Sequence, residues 1–524
     1  MDSTVIRPIS VILILFASVL DQTDCANILA VFPHIGKSHQ DVFQPLVEEL
    51  ATRGHHVTTV SFFPRKKPLA NFTDIVIDAN DLPPMLYNSL PIDLFNGANP
   101  IKDFTIISSI GIQCCESVLG SSNVQKLLNS NEEFDLIITE LFTVDCFLGF
   151  VHRFKAPFIA MSSSVLLPGN SDRFANSDNP AIVPNLFLTY SDKMSYRERF
   201  FNTVATFIMK SVRRYYYDVA AERIARKYFG TSMPPLEEIA KNTSLVLVNT
   251  HPSLNRPRPQ VPAVIDVGGM HIKDAKKLPA DLEDFMNSST NGVIVFSMGS
   301  TLLTHTFPDD KRKMIMEVFS ELPQNIVCKW ESDSLPNKPN NVKIMKWLPQ
   351  RDILAHPNVV AFVTHGGLLG LTEATFEAVP IIGIPMYGDQ GTNVRAFEAS
   401  GAGVFLSYST INKQSFKQAL LTVVNDKRYK ENAQRLSKAY RERILPPLET
   451  AVYWTEYVLK FGGADHLRVA SVHMPWYQYL LLDVLLGASV IMFLILYVVY
   501  IVARRITTII LPYLTIITVH KKGD

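Results

Sequence analysis

The densest chemistry in the chain lies between Phe362 and Gln390. An apolar run ends at Thr364, and His365-Gly366-Gly367 then leads into a helix-forming sequence. A strand that turns through paired glycines into a helix leaves the first helical N–H groups unpaired and aligned, which favours phosphate. His365 at that turn can offer a ring N–H to a pyrophosphate. Glu373, eight residues on, is a carboxylate able to accept from ribose hydroxyls. Asp389 and Gln390 follow another short apolar run and offer acceptor and donor groups suited to sugar hydroxyls.

A second cluster lies near the start, in Pro33-His34-Ile35-Gly36-Lys37-Ser38-His39. Gly-Lys-Ser resembles a nucleotide phosphate loop, but the glycine required five residues before Gly36 is Val31, so an ATPase is excluded. His39 stands where this loop enters a helix. A helix N-terminus disfavours the imidazolium, keeping the ring neutral and able to accept a proton as a general base. His34 is its rival. A base histidine works beside a carboxylate that orients it, and two follow the apolar run 135–139: Glu140 and Asp145.

These residues need a frame that brings distant loops together. The run 27–32 is a continuous apolar strand, apolar spacing from Val42 to Leu50 predicts a helix, and 56–63 predicts a second strand. Such βαβ units imply a parallel sheet with right-handed crossovers. Further strands are expected at 135–139, 157–161 and 245–249, and after the proline-rich segment 252–262 the alternation restarts at 292–297, 325–330, 342–345, 359–364 and 381–384. Two doubly wound domains facing across a cleft are the expected architecture, with ligands at the carboxyl ends of the strands. Between the strands, Arg213-Arg-Tyr-Tyr-Tyr217 interleaves bases with aromatics. A solvated amphipathic helix is the preferred reading, with contact to phosphate or membrane headgroups as the other.

Residues 1–26 read as a signal peptide, because the apolar run 5–20 is too short to span a bilayer. Residues 479–503 are apolar except for Asp483. At ~1.5 Å per residue such a segment reaches about 37 Å, enough for a tilted transmembrane helix. Arg504 and Arg505 follow it and place the C-terminus in the cytosol and the body in the lumen. The domains expected are therefore an N-terminal domain at 27–252, a linker at 253–262, a C-terminal domain at 263–470, the membrane helix at 479–503, and a cytosolic tail at 504–524. Within that tail 506–519 is a second apolar stretch, too short to span, and Lys521-Lys522 match a retrieval signal for the endoplasmic reticulum. Sequons at Asn71, Asn242 and Asn287 agree with a luminal body. Cys25 is expected to leave with the signal, and Cys114, Cys115, Cys146 and Cys328 show neither disulfide-framework nor zinc spacing, so they read as packing residues. With 50 basic against 49 acidic residues, nucleic acid is not an expected partner. A Rossmann oxidoreductase would need Gly-x-Gly-x-x-Gly after a first strand, and neither half has it.

The whole stretch from Phe362 to Gln390, with its Thr-His-x-Gly, spaced glutamate, paired prolines and closing Asp-Gln, resembles the signature of the UDP-glycosyltransferase family. That group includes animal UDP-glucuronosyltransferases and plant secondary-metabolite glycosyltransferases, and the His-Gly-Gly-Leu-Leu-Gly wording looks most like its arthropod members. The resemblance implies a fold of the GT-B type and carries roles onto matching positions. Trp347 would stack on uracil and Gln350 bond the uridine. Ser297 and Ser300 would approach the phosphates, His365 and Gly367 hold the pyrophosphate, Glu373 the ribose, and Asp389 and Gln390 the sugar. Many members carry asparagine where this chain has Leu369. Ser38-His39 matches the loop of the family's catalytic histidine. Its catalytic aspartate falls near 140–145, which makes Asp145 the preferred partner of His39 and Glu140 the alternative. The reaction implied is inverting transfer from a UDP-sugar to a hydroxyl of a small lipophilic acceptor such as a phenol, steroid or plant toxin. The donor expected is UDP-glucose, with UDP-glucuronate as the alternative, and no metal or other cofactor is expected. An inactive binding member is the competing non-enzyme reading, and self-association or association with relatives is expected from membrane-bound members.

Overall fold

Strand residues that are apolar on both faces can be buried only between two layers of helix, and two parallel sheets are the result. The computed structural model describes residues 25–78, 90–91, 99–143 and 145–520. The expected signal peptide, apart from its last two residues, and the terminal Lys521–Asp524 lie outside these. The first sheet comprises β1 (Asn27–Phe32), β2 (His56–Ser61), β3 (Phe72–Val76), β5 (Leu136–Glu140), β6 (Phe158–Ser162), β7 (Leu245–Val248) and β8 (Val264–Asp266) in the order β3-β2-β1-β5-β6-β7-β8. Every pairing within it is parallel. The second comprises β9 (Val293–Ser297), β11 (Asn325–Lys329), β12 (Val342–Met345), β13 (Val359–Thr364), β14 (Ile381–Gly383) and β15 (Gly403–Phe405) in the order β12-β11-β9-β13-β14-β15, also all parallel. A two-residue ladder between β4 (Leu90–Pro91) and β10 (Leu302–Leu303) joins the halves.

The proline-rich segment does not mark where the chain changes sheets. β8 lies beyond it yet pairs with β7, so the first half extends past the linker expected at 253–262. Prolines break local hydrogen bonding without dictating which sheet accepts the next strand. The far end also departs from the expected boundary. The helices Lys413–Asn425 and Lys427–Arg441 pack on the second half, but Pro447–Phe461 returns to the first half and packs on the helix Lys37–Thr52. Ala451, Val452 and Val458 join Phe43, Leu46, Val47 and Leu50 in one buried cluster. The C-terminal segment thereby ties the two halves through the helix that carries His39.

The described residues up to Arg468 form one compact unit and those from Val469 a second. The second holds the helix Leu482–His520, of which Leu482–Leu514 is long and apolar enough to cross a membrane. The sequence divides this segment at Arg504-Arg505. Instead the helix runs on through both arginines, which are good helix formers, and through Pro512.

The cysteine reading is corrected too: Cys115 and Cys146 form a disulfide 31 residues apart in sequence. No spacing rule reveals it, because it joins the helix Pro100–Gly120 to the turn after β5, which only the sheet order brings together. Leu46→Ala, which empties a fully buried position under the returning helix, is expected to cost about 2–5 kcal/mol and lower the midpoint of thermal unfolding.

Candidate active site

In each sheet the strand order reverses direction once. In the first sheet the reversal falls between β1 and β5, and in the second between β9 and β13. Loops leaving the carboxyl ends of such a strand pair diverge to opposite faces and open a crevice. His39 follows β1 and Glu140 ends β5; Ser297 ends β9 and His365 follows β13. Four of the residues singled out from sequence thus stand at the two reversal points.

At the first, His39 Nδ1 meets Glu140 Oε1 in a direct contact and lies 3.0 Å from Ser163 Oγ. Nε2 is left as the nitrogen that faces neither partner. The His34 ring stacks on His39 with centroids 3.7 Å apart, and the Phe142 edge abuts both rings. A glycine is required beneath the stack, because a Cβ at Gly36 would lie 2.8 Å from His34 Nδ1. Burial pushes the His39 ring well below the ordinary imidazole value, so it rests neutral. Burial pushes the Glu140 carboxyl up to about 7, against the opposing pull of the His34 ring and a hydrogen bond from the His34 backbone N–H.

The carboxylate beside His39 is therefore Glu140, and the preference for Asp145 is corrected. Asp145 accepts from Arg173 Nη2 at 2.6 Å through both oxygens, with Arg213 at 3.6 Å. Burial opposes its ionisation, and the two guanidiniums overcome that and hold its carboxyl below the usual range. Its work is to fasten the loop after β5. Asn170 helps by donating to the Phe142 carbonyl and contacting Arg213, and the Cys115–Cys146 disulfide closes the same loop. Ser163 and Phe142 were not singled out from sequence. Ser163 could have been, since it stands one residue past the end of β6 where ligand-facing loops begin.

At the second reversal the His365 ring lies between two glycine backbones. A side chain at Gly299, whose φ is +80°, would collide with the ring, and a Cβ at Gly367 would lie 2.6 Å from its Nε2. Burial, helped by the nearby Lys329 charge, lowers the His365 ring to about 4. Gly367 caps the helix Leu368–Phe376 with no side-chain hydrogen bond, so the first helical N–H groups stay open to an anion. Leu369 packs against the core of the first half. Ser297 Oγ accepts from the Gly299 N–H at 3.3 Å, and Ser300 is exposed in the same loop. Gln350 Nε2 donates to Glu373 Oε2 at 2.6 Å, and burial pushes the Glu373 carboxyl up to about 7. Trp347 is 60% exposed three residues before Gln350, leaving its face open for stacking. Asp389 accepts from Asn393 at 2.8 Å and burial pushes it up to about 6. Gln390 closes its own turn, its Oε1 accepting from the Met386 and Tyr387 N–H groups. Among the described residues no group of three or more His, Cys, Asp or Glu side chains is arranged to hold a metal ion.

The two halves face one another across these sites. The Asp41 charge, two residues after His39, helps raise Glu373, and Thr392 donates to the carbonyls of Leu186 and Leu188. The His39–Glu140 pair and the glycine turn at His365 therefore stand on the facing sides of the two halves.

A family model described as UDP-glucoronosyl and UDP-glucosyl transferase matches residues 93–523. The chain is 42% identical over 477 residues to UDP-glycosyltransferase UGT5 of Dactylopius coccus, covering 90% of this chain and 91% of that one. It is 39% identical to UDP-glucosyltransferase 2 of the same organism, covering 90% and 92% respectively. Among solved structures it superposes on the kitacinnamycin glycotransferase with a TM-score of 0.55 at 16% identity, over 84% of this chain and 99% of that one, a likeness of fold.

Glu140→Gln and Asp145→Asn should separate the two carboxylates. The site's last proton leaves at about 7, so wild-type kcat/KM should rise with pH through that value as the pair loses it. Glu140→Gln should abolish the rise and leave a low plateau. Asp145→Asn should keep the rise but lose about 3–5 kcal/mol of stability, since it strands buried guanidiniums.

Proposed function

The chain belongs to the UDP-glucoronosyl and UDP-glucosyl transferase family, and we propose that it moves glucose from UDP-glucose onto a hydroxyl of small lipophilic acceptors with His39 as general base. The observation that carries this reading is the His39–Glu140 contact at the reversal between β1 and β5. The Glu140 carboxylate accepts the Nδ1 proton, fixing the tautomer in which Nε2 is free to take a proton. The acceptor hydroxyl gives its proton to Nε2 as its oxygen forms a bond to the anomeric carbon. The bond from that carbon to the UDP oxygen breaks on the opposite face, so an α-linked donor yields a β-glycoside. Negative charge gathers on the departing diphosphate, where the Leu368–Phe376 helix N-terminus and a His365 N–H offset it. Glu140 balances the charge that His39 acquires.

The donor and acceptor assignments rest on different supports. Glucose is favoured by the relative named as a UDP-glucosyltransferase. A lipophilic acceptor is favoured by the wall beside the base. Phe142, whose edge meets His39, packs with Phe104, Val165, Leu167, Leu186 and Phe187 in one apolar cluster. In this reading UDP is held by Trp347 stacked on uracil, the Gln350–Glu373 pair at the ribose and the glycine turn at the phosphates, and no metal takes part. We place the body in the lumen of the endoplasmic reticulum, with the Leu482–Leu514 helix as its anchor. The three sequon asparagines, Asn71, Asn242 and Asn287, are all exposed, which suits that side.

The test is transfer from UDP-glucose and from UDP-glucuronate to a panel of phenols in microsomes, comparing wild type with His39→Ala. Glucoside formation that vanishes in the variant supports donor and base together; surviving transfer removes His39 from the mechanism, and glucuronide formation reassigns the donor. Trp347→Ala should weaken UDP binding by about 1–3 kcal/mol, the usual worth of base–aromatic stacking, in a calorimetric titration.

A further inference from the structure

The helix Tyr196–Val212 is built inside out. Its capping box is regular, with Ser195 and Glu198 exchanging side-chain and backbone bonds. Its buried side, however, is anchored by an asparagine. Asn202 is fully buried, accepts from the Asn185 N–H at 2.7 Å and donates to the carbonyls of Pro180 and Val183 at 2.8 and 2.9 Å. The apolar residues point the other way. Tyr196, Phe200, Val204 and Phe207 recur at helical spacing and are 75%, 55%, 41% and 72% exposed. Tyr215 and Tyr216, in the π-helical turn Arg213–Tyr217, extend the patch at 75% and 68%. A soluble surface does not normally carry a contiguous apolar stripe of this length.

Two features select the occupant. The same chain carries a helix long and apolar enough to cross a membrane, so a bilayer lies within reach of its body. Further, the charges exposed along 196–227 are Arg197, Arg199, Arg214, Arg223 and Lys227, all basic; Arg214 and Lys227 pair with Glu237 and Glu116 outside the stretch, and the acidic residues within it are only partly exposed. Aromatics with basic neighbours suit the boundary between acyl chains and anionic headgroups. We propose that the Tyr196–Tyr217 face lies on the bilayer surface, its aromatics in the interfacial layer and its arginines on anionic lipid headgroups. That stripe is then the side that leaves water. The assignment does not depend on which sugar or acceptor the enzyme uses.

The test uses the full-length protein in vesicles containing nitroxide-labelled lipid. Single cysteines carrying an environment-sensitive fluorophore are placed at Phe200, Val204 and Phe207 on the stripe, at Arg199 on its edge, and at Lys313, exposed on the helix Asp309–Ser320 of the second half, each compared with the parent protein. Lipid quenching should be about twofold or more stronger at Phe200, Val204 and Phe207 than at Arg199 and Lys313. It should increase when phosphatidylserine is added to phosphatidylcholine. Full access of every position to aqueous iodide, with no lipid quenching, would show a solvated face and overturn the proposal. Shielding from iodide without lipid quenching, growing with protein density, would assign the face to a second copy and overturn it equally. Equal quenching with and without phosphatidylserine would remove the headgroup pairing. Because the labels sit on exposed side chains, misfolding does not confound the reading, and enzyme activity plays no part in it.

Discussion

Each sheet reverses the order of its crossovers once, and the chemistry depends on where those reversals fall. Parallel strands with right-handed crossovers send their helices to one face on each side of the reversal. At that seam neighbouring loops part instead of packing, which leaves room for a ligand and points helix N-termini into it. The seam between β1 and β5 brings a histidine and a carboxylate from 101 residues apart into contact. The seam between β9 and β13 brings a glycine turn onto the His365 ring. Neither site has a counterpart elsewhere in its sheet, because the other strand pairs cross over in a single direction.

Burial then sets the electrostatics. Within the cleft, His39 and His365 are pushed down while Glu140, Glu373 and Asp389 are pushed up, all chiefly by loss of water. The empty site therefore holds neutral imidazoles beside carboxyls whose point of change lies near neutral pH. An anion beside His365 would favour its charged ring, and a charged His39 would favour the charged Glu140, so each partner would stabilise the charge it faces. Asp145 shows the contrast. Two guanidiniums keep it ionised and engaged, which suits a fastening and not a proton carrier.

The same logic of partners reads the outer surface. A helix that buries asparagine beside Met209 and exposes phenylalanine gains stability when something other than water covers its outer side. In the first half, the returning helix Pro447–Phe461 buries its apolar stripe on the helix that carries His39, so His39 is braced by residues more than 400 positions away.

The sequence by itself determined the alternating α/β style, the C-terminal apolar helix and the donor-side motif. These are local signals: buried parallel strands are short continuous apolar runs, and Thr364 to Gln390 keeps a turn, a helix and a strand within one stretch. It also marked His39, whose position at a helix start is a local fact. What the tertiary structure decided were the pairings between distant segments. Glu140 ends β5 and Asp145 follows five residues on, and only the path of the chain in space separates the one that meets His39 from the one that meets Arg173. The Cys115–Cys146 bond, the membership of β8 in the first sheet and the return of the last helix share that character. Each depends on which elements become neighbours in space, and periodicity along a chain carries no record of that.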